Sequence, residues 1–520
     1  MDMETTTSEE TTIPHRPRIA LTGASGYIGH NLLKRLTDHY DVIALSRHGD
    51  DKENSEHVEW RSCELFSISD AEKALEGADY AIYLVHSMMP TAKLTQAHFE
   101  DMDVILADHF ARAAKKNGIK QIVYLSGIIP EGVPRDKLSR HLRSRLEVEQ
   151  ILGSYGVPVT TIRAGLIVGP QGSSFPILAK LVQRLPVMTL PTWTRTETHP
   201  IALSDVLQAL KKSIGSTELY NRAIDVGGPD IMTYKQMMMK TADVMEKKRT
   251  FHDVPFLTIH LSRLWVTLVT GMPKEMVYPL VESLAHPMVA NPERKVEGIS
   301  DGQITFEESA KSALEEEAKE KEKAKEKKEQ ASASSASAPA PATESVSDVR
   351  SIQRVVLPDG KNADWAGKYY MEWLGGIAKF LIRTEYDGSS IYRVYIRPSR
   401  QPILELTYSP ELSSKDSAVY HITGGAFTKT KENHEGRLEF LQVPGTQDCV
   451  IAIHDYLPSL PWFIYKFTQA KVHLWVMYAF RRHLKRMIKT GKQHEFPGGQ
   501  QSQDSQHAPT HAISGTHSTP

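Results

Sequence analysis

Three glycines spaced three apart, Gly23, Gly26 and Gly29, stand between an apolar run (Ile19 to Leu21) and a helical pattern (Leu32, Leu33, Leu36). Strand, glycine turn and helix is the arrangement that sets backbone N–H groups and a helix N-terminus against a pyrophosphate. Here the turn residues Gly23, Ser25, Gly26, Tyr27, Ile28 and Gly29 would supply that cradle. An ordinary tight turn has the same glycines, so their place at the first strand-to-helix turn of a βα series carries the reading. The second apolar run ends in Leu45-Ser46-Arg47-His48. NAD sites usually carry Asp or Glu at that place to accept from the ribose, whereas a guanidinium takes a 2′-phosphate in bidentate fashion. Ser46 and Arg47 therefore favour NADP(H), with NAD(H) still possible. The plain alternative for Arg47 is a solvated surface arginine.

Elements of alternating type must position these residues. Apolar runs at Arg18–Thr22, Asp41–Ser46, His57–Arg61, Tyr80–His86, Gln121–Ser126 and Thr160–Val168 read as strands, with amphipathic stretches such as Asp70–Leu75 and Asp103–Lys116 between them. Alternation of β and α predicts an α/β fold with a parallel, doubly wound sheet, whose ligands bind beyond the carboxyl ends of the strands.

The whole chain sets wider limits. Its 520 residues exceed one ordinary core and point to two or three domains. A net charge of −1 gives no electrostatic footprint for nucleic acid. Two distant cysteines, Cys63 and Cys449, argue against a disulfide framework, and no metal site is expected. No apolar run reaches membrane-spanning length, and residues 1–15 lack the order of a signal peptide. The expectation is a cytoplasmic protein.

Further motifs carry a resemblance. Thr22-Gly23-x-x-Gly26-x-x-Gly29, Cys63-Glu64-Leu65, Tyr124-Leu125-Ser126-Gly127, Arg163 to Pro170 and His199-Pro200-Ile201-Ala202-x-x-Asp205-Val206 occur in that order. The series, over about residues 16–316, resembles the short-chain dehydrogenase/reductase superfamily in its extended and atypical, NmrA-like and epimerase-like branches. The resemblance implies a Rossmann-type domain with Glu64 and Leu65 near the adenine, Val85 and His86 near the cofactor ribose, and Ala164 and Gly165 near the nicotinamide. Asp is commoner than Glu at the position of Glu64. Such enzymes pair a serine with Tyr-x-x-x-Lys. Ser126 matches the serine, but His141 stands for the tyrosine and Arg145 for the lysine. Their i, i+4 spacing keeps both on one helix face. Arg145 can donate to ribose hydroxyls without cycling a proton, and His141 titrates near neutrality. A relic site that binds cofactor without standard ketoreductase chemistry fits the same departure.

Beyond residue 170, Trp193 and Arg195 are candidates to grip a flat or anionic ligand, with packing and an ion pair as the equal alternatives. The methionine run Met237 to Met239 reads as core filling. Residues 317–347 are a charged, then Ala-, Ser- and Pro-rich linker, partly helical at first. Residues 348–492 read as an opening helix (Trp365, Tyr369, Trp373), a meander of strands and a long helix from Pro461 to about Lys489. With Ile422-Thr423-Gly424-Gly425 and Thr468 to Trp475, this region resembles a START-like, helix-grip α+β domain whose sheet and helix enclose an apolar cavity. The last helix ends in Arg481, Arg482, Lys485, Arg486, Lys489 and Lys492. Such an end suits contact with an anionic membrane surface, but also simply complements a helix dipole. Residues 493–520 read as a disordered tail.

The expected function is an NADPH-binding oxidoreductase acting on a carbonyl or sugar-like small molecule, with Ser126, His141 as proton donor and Arg145 as ribose clamp. Two alternatives stay open: an inactive NADP(H)-binding regulator or assembly factor with a protein partner, and a lipid- or quinone-handling protein. Substrate, reaction direction and oligomeric state are not legible in the residues.

Overall fold

A computed structural model describes residues 16–87, 94–254, 258–333, 349–377, 381–428, 436–459 and 467–491. The N-terminal half alternates β1 (Arg18–Leu21), α1 (Tyr27–Leu36), β2 (Asp41–Ser46), β3 (Val58–Ser62), α2 (Ile68–Ala74) and β4 (Tyr80–Tyr83). A short strand β5 (Leu94–Gln96) precedes α3 (Phe99–Lys116), β6 (Ile122–Gly127), α4 (Arg140–Leu152) and β7 (Val159–Ala164). The expected sixth strand breaks at Gly165, and β8 (Ile167–Val168) forms a separate short pairing. A Cβ at Gly165 would sit 2.4 Å from the His199 carbonyl oxygen, so the close approach of that segment requires glycine.

Short strands β9 (Val187–Leu190), β10 (Glu197–Thr198) and β11 (Ile201–Ala202) follow helix α5 (Phe175–Arg184). Then come α6 (Leu203–Ser213), β12 (Arg222–Val226), β13 (Met232–Thr233), α7 (Tyr234–Val244) and β14 (Thr250–Asp253), and after them α8 (Ile259–Thr270) and α9 (Lys274–Ser283). The seven-stranded sheet runs β12-β7-β6-β4-β1-β2-β3, and its pairings are parallel throughout. Leucines of α1 and the apolar side of α6 cover one face of it, and α2, α3 and α4 cover the other. The strand order reverses between β1 and β4, which opens a crevice at their carboxyl ends.

Helix α10 (Phe306–Ala333) buries Phe306, Ala310 and Ala313 in the apolar core shared by α5, α7, α8 and α9 and runs on through the Glu/Lys/Ala segment, so the boundary expected at residue 316 falls within a helix. The C-terminal region opens on a strand, β15 (Val349–Val356), that the sequence reading missed. Helix α11 (Ala363–Ile377) follows, then the antiparallel β16 (Ile382–Tyr386), β17 (Ile391–Ile396), β18 (Leu404–Tyr408), β19 (Ser417–Gly424), β20 (Arg437–Gln442) and β21 (Asp448–Tyr456), and last α12 (Gln469–Thr490). The start expected for that last helix, and Lys492, lie outside the described residues. Trp365, Tyr369, Tyr370, Phe480 and Leu484 pack α11 and α12 onto one face of the sheet.

The other face of this sheet packs on α3. Ile352, Leu441, Val450 and Ala452 join the same apolar core as Val104, Ile105 and Phe110, and β5 pairs with β15 to extend the C-terminal sheet. Helix α3 is consequently buried on nearly every side, Asp101, Asp103, Asp108 and His109 included. An amphipathic pattern predicts one wet face. Here the C-terminal sheet covers that face, and its charges find partners there. Arg112 donates to the Leu412 carbonyl at 2.7 Å and to Ser417 Oγ.

Candidate functional site

The crevice between β1 and β4 holds two adjoining cavities. The first, about 420 Å³, is lined by Thr22, Gly23, Ser25 and Gly26, by Leu45 to His48, by Cys63 to Phe66 and by Leu84 to Ser87. Gly23 sits at φ +66°, a left-handed conformation that a side chain would strain. A Cβ on Gly29 would lie 2.1 Å from the Gly23 carbonyl oxygen, so this glycine sets how closely α1 packs under the turn. Gly26 caps α1 without any side-chain hydrogen bond, which leaves the helix's first N–H groups directed at the cavity mouth. Ser25 Oγ and Ser46 Oγ lie 3.2 Å apart and link the turn to the end of β2. Arg47 is exposed there and forms no ion pair among the described residues. Turn, uncapped helix and free guanidinium fit the pyrophosphate and 2′-phosphate of NADP(H).

The second cavity, about 400 Å³, shares Leu84 and His86 with the first. It is lined by Tyr27, Ile28, Ser126, His141, Arg145, Ala164 and Gly165, and the rest is walled mainly by apolar side chains, among them Leu178, Leu181, Trp193, Met238, Val266 and Met276, with Ser173, Ser174, Tyr234 and Ser283 between them. The structure thus brings the three sequence-nominated catalytic residues into one cavity. Glu64, Leu65 and Val85 line the other, and His86 touches both. Trp193 is buried in the wall with its Nε1 donating to Ser262 Oγ at 3.0 Å. Arg195 is instead exposed, 3.2 Å from Asp253, outside the cavity lining, so its ligand-gripping reading gives way to the ion pair. Asp205 accepts from the Gln303 and Ile304 N–H groups and ties the chain down before α10.

Sequence reasoning overlooked Asp103. This carboxylate accepts from His86 Nδ1 at 2.7 Å, the Ser87 N–H at 2.7 Å and Ser144 Oγ at 2.8 Å. Burial alone would raise its pKa, yet His86, Arg145 and Ser144 outweigh that and hold it at about 2. Asp103 lies on α3, remote in sequence from every motif, and only its place inside an otherwise buried helix face could have flagged it. Because Asp103 only accepts, it fixes the hydrogen of His86 on Nδ1. Burial, then Arg145, lower the pKa of His86 despite Asp103. Burial, His86 and Arg145 lower that of His141 much further. Both rings are therefore neutral at pH 7, with centroids 5.2 Å apart. His86 Nε2 and His141 Nδ1 are buried with no hydrogen-bond partner among the described residues. Burial works against the charge of Arg145, but Tyr124 and Asp103 outweigh it and keep the guanidinium cationic.

Comparison with known proteins agrees with this geometry. Residues 23–180 match the family described as NAD(P)H-binding. The auxiliary protein GraX of Staphylococcus aureus is 30% identical over 149 residues, 28% of this chain, and the match spans 43% of that protein, less than half its length. Three solved structures are similar to between 56% and 57% of the chain and 99% of their own. A nucleoside-diphosphate-sugar epimerase of S. aureus has TM-score 0.47 and 14% identity. An NADPH-dependent quinone oxidoreductase of Escherichia coli, complexed with NADPH, has 0.45 and 17%. Citrobacter sp. triphenylmethane reductase, complexed with NADP(H), has 0.45 and 15%. Among the described residues no helix is long and apolar enough to cross a membrane. Glycine turn, strand order and family match fall on the same residues: residues 23–180 of this chain match an NAD(P)H-binding domain.

Proposed function

We propose that the protein is an NADPH-dependent oxidoreductase for a flat, apolar carbonyl or quinone-type substrate. The observation that carries this reading is the second cavity. It adjoins the nucleotide cavity at Leu84 and His86, carries Ser126, His141 and Arg145, and is otherwise walled mainly by leucine, isoleucine, methionine, valine and tryptophan, with Ser173, Ser174, Tyr234 and Ser283 among them. A sugar would leave most of its hydroxyls without partners against walls that are mainly apolar.

Bound NADPH would supply a hydride. The Gly23 to Gly29 turn and the start of α1 hold its pyrophosphate, Ser46 and Arg47 its 2′-phosphate, and Arg145 donates to ribose hydroxyls. The apolar walls exclude water from the reacting end. Asp103 orients His86 so that its Nε2 can carry a proton: in the reducing direction the resting, neutral ring takes a proton from solvent at Nε2 and passes it to the carbonyl oxygen as the carbon is reduced, and in the oxidising direction the same lone pair takes the proton of the alcohol. His141, neutral beside it, and the hydroxyl of Ser126 complete the polar end. In this reading the proton path runs through His86, oriented by Asp103, in place of the His141 donor expected from the sequence.

Stopped-flow measurement of NADPH oxidation over a panel of apolar quinones, aromatic ketones and nucleotide sugars tests the proposal. Turnover confined to the apolar acceptors is the expected result. Tight NADPH binding with no turnover on any acceptor would instead support an NADP(H)-responsive binding protein, the reading favoured by an arginine that cannot cycle a proton where a lysine would be usual.

A further inference from the structure

A second polar cluster lies away from the cavities, where α3 meets the C-terminal sheet. His109 of α3, Glu439 of β20 and His454 of β21 are buried, with relative exposures of 0%, 2% and 0%. His109 Nε2 is 3.0 Å from Glu439 Oε2, and His454 Nε2 is 3.4 Å from the same oxygen. On the other side of its ring, His109 Nδ1 is 3.0 Å from the Leu65 carbonyl oxygen.

The hydrogen positions follow from these partners. A carbonyl oxygen only accepts, so Nδ1 of His109 carries the hydrogen, and in a neutral ring Nε2 is then a lone pair. That lone pair faces a carboxylate oxygen, which offers only lone pairs of its own. Something positive must lie between them, either a proton or a metal ion. A proton serves one nitrogen–oxygen pair, whereas a metal ion serves all three groups together. Ligands about 2.0–2.2 Å from a tetrahedral ion stand roughly 3.4 Å from one another, close to the 3.0 and 3.4 Å seen here. The three donor atoms all lie within 4.8 Å of one another. A metal-bound imidazole typically donates its second N–H to a carboxylate or a backbone carbonyl, which Leu65 provides.

We propose that His109, Glu439 and His454 form a binding site for a divalent transition-metal ion of the zinc class, joining the C-terminal sheet to the nucleotide-binding domain. The donor set is His₂Glu, one that zinc accepts with a fourth, non-protein position. Through Nδ1 of His109 the ion also braces Leu65, part of the wall of the first cavity. The ligands stand up to 345 residues apart in the chain, so no spacing motif announces them. The inference stands apart from the oxidoreductase proposal, because a metal that ties two domains together serves an enzyme or a binding protein equally.

The test uses the full chain, stripped with a chelator and titrated with Zn²⁺ and with Co²⁺ under far-ultraviolet circular dichroism to check folding. The proposal expects about one tightly held ion per chain, and visible d–d absorption bands of the intensity given by a low-coordinate Co²⁺ site. Glu439→Gln and His454→Gln should each weaken uptake on the order of 100-fold. His494, His507, His511 and His517 of the tail remain in every variant, so a drop in uptake isolates the buried cluster. Where a variant fails to fold, the wild-type Co²⁺ spectrum decides. A folded, stripped wild type that takes up neither ion, or takes up Co²⁺ only with the faint bands of an exposed octahedral site, overturns the proposal and leaves a buried imidazolium–carboxylate pair. Undiminished uptake by folded Glu439→Gln also overturns it.

Discussion

Helices α3 and α4 each carry neighbouring charges with opposite surroundings. Asp101 and Glu147 point toward the C-terminal sheet, where Arg354 meets Asp101 at 2.7 Å and both oxygens of Glu147 at 2.7 and 2.8 Å. Arg135 adds a further bond to Glu147 at 2.8 Å. Two residues away on each helix, Arg145 lines the second cavity and Asp103 holds His86 in its wall, where two imidazole nitrogens lack partners among the described residues. Buried polar groups are ordinarily satisfied, and unsatisfied ones call for an explanation. The paired cluster fixes the helices in place, and the unpaired one is what they hold ready for a ligand. Since the same two helices carry both, the C-terminal domain acts as a brace for the site.

Breaking the brace should have the largest effect. Arg354→Met leaves two carboxylates buried, Glu147 fully and Asp101 nearly so. Removing one partner of such a network costs about 3–5 kcal/mol. Urea unfolding of the full chain should show that loss, and a change below about 1 kcal/mol would mean the two domains are not braced there. Within the cavity, Asp103→Asn keeps the shape but no longer enforces the His86 tautomer. Turnover on an accepted substrate should fall on the order of 100-fold. An unchanged rate would remove His86 from the proton path.

These two clusters were unequally legible in the sequence. Gly23, Gly26 and Gly29, Arg47, Ser126 and the His141–Arg145 pair announce themselves by spacing around local turns and helix faces. The βα alternation likewise placed six of the seven strands of the parallel sheet close to their observed positions. Asp103 and Arg354 were invisible, because their significance comes from contacts 41 and 253 residues away along the chain. Strand β15 was missed for a related reason. Its alternation is interrupted by Arg350, Gln353 and Arg354, and a polar residue on an inward face makes sense only once the partner carboxylates are known. On α8 the apolar stripe Leu261, Leu264 and Leu268 is exposed, while Ser262, Val266 and Thr270 are the side that packs, so apolar periodicity alone does not mark the buried face there.

Acid separates the clusters by the sign of their shifts. For Asp103, burial is outweighed and the folded pKa falls to about 2 from 3.8. Glu147 is likewise lowered from 4.5, with burial outweighed by Arg354 and Arg135. A carboxylate with a depressed folded pKa stabilises the fold above its unfolded pKa, and that contribution disappears as pH falls through the folded value. Asp101 opposes them, since burial raises its pKa in spite of Arg354. Stability from Asp103 and Glu147 should therefore be flat above pH 4.5 and fall between about 4.5 and 2, with Asp103 contributing about 2 kcal/mol. In Asp103→Asn the decline should be shallower by that amount. An equally steep decline would place the acid sensitivity in the brace alone.

Arg47 is the third case, a cation neither braced nor enclosed. It is exposed and carries no ion pair among the described residues, so replacing it should leave the urea midpoint unchanged. Its effect should appear only with a cofactor that brings a 2′-phosphate. Fluorescence titration of Arg47→Ala should show NADPH binding weakened on the order of tenfold, as for loss of one charge-assisted hydrogen bond, while NADH binding stays within about twofold. Equal weakening for both dinucleotides would mean that Arg47 attracts the diphosphate in general rather than reading the ribose. Wild-type binding of NADH as tight as NADPH would remove its selective role altogether. With NADPH binding weakened and NADH binding unchanged, the comparison would sharpen to one rule: in this crevice, selectivity comes from the exposed end and chemistry from the buried one.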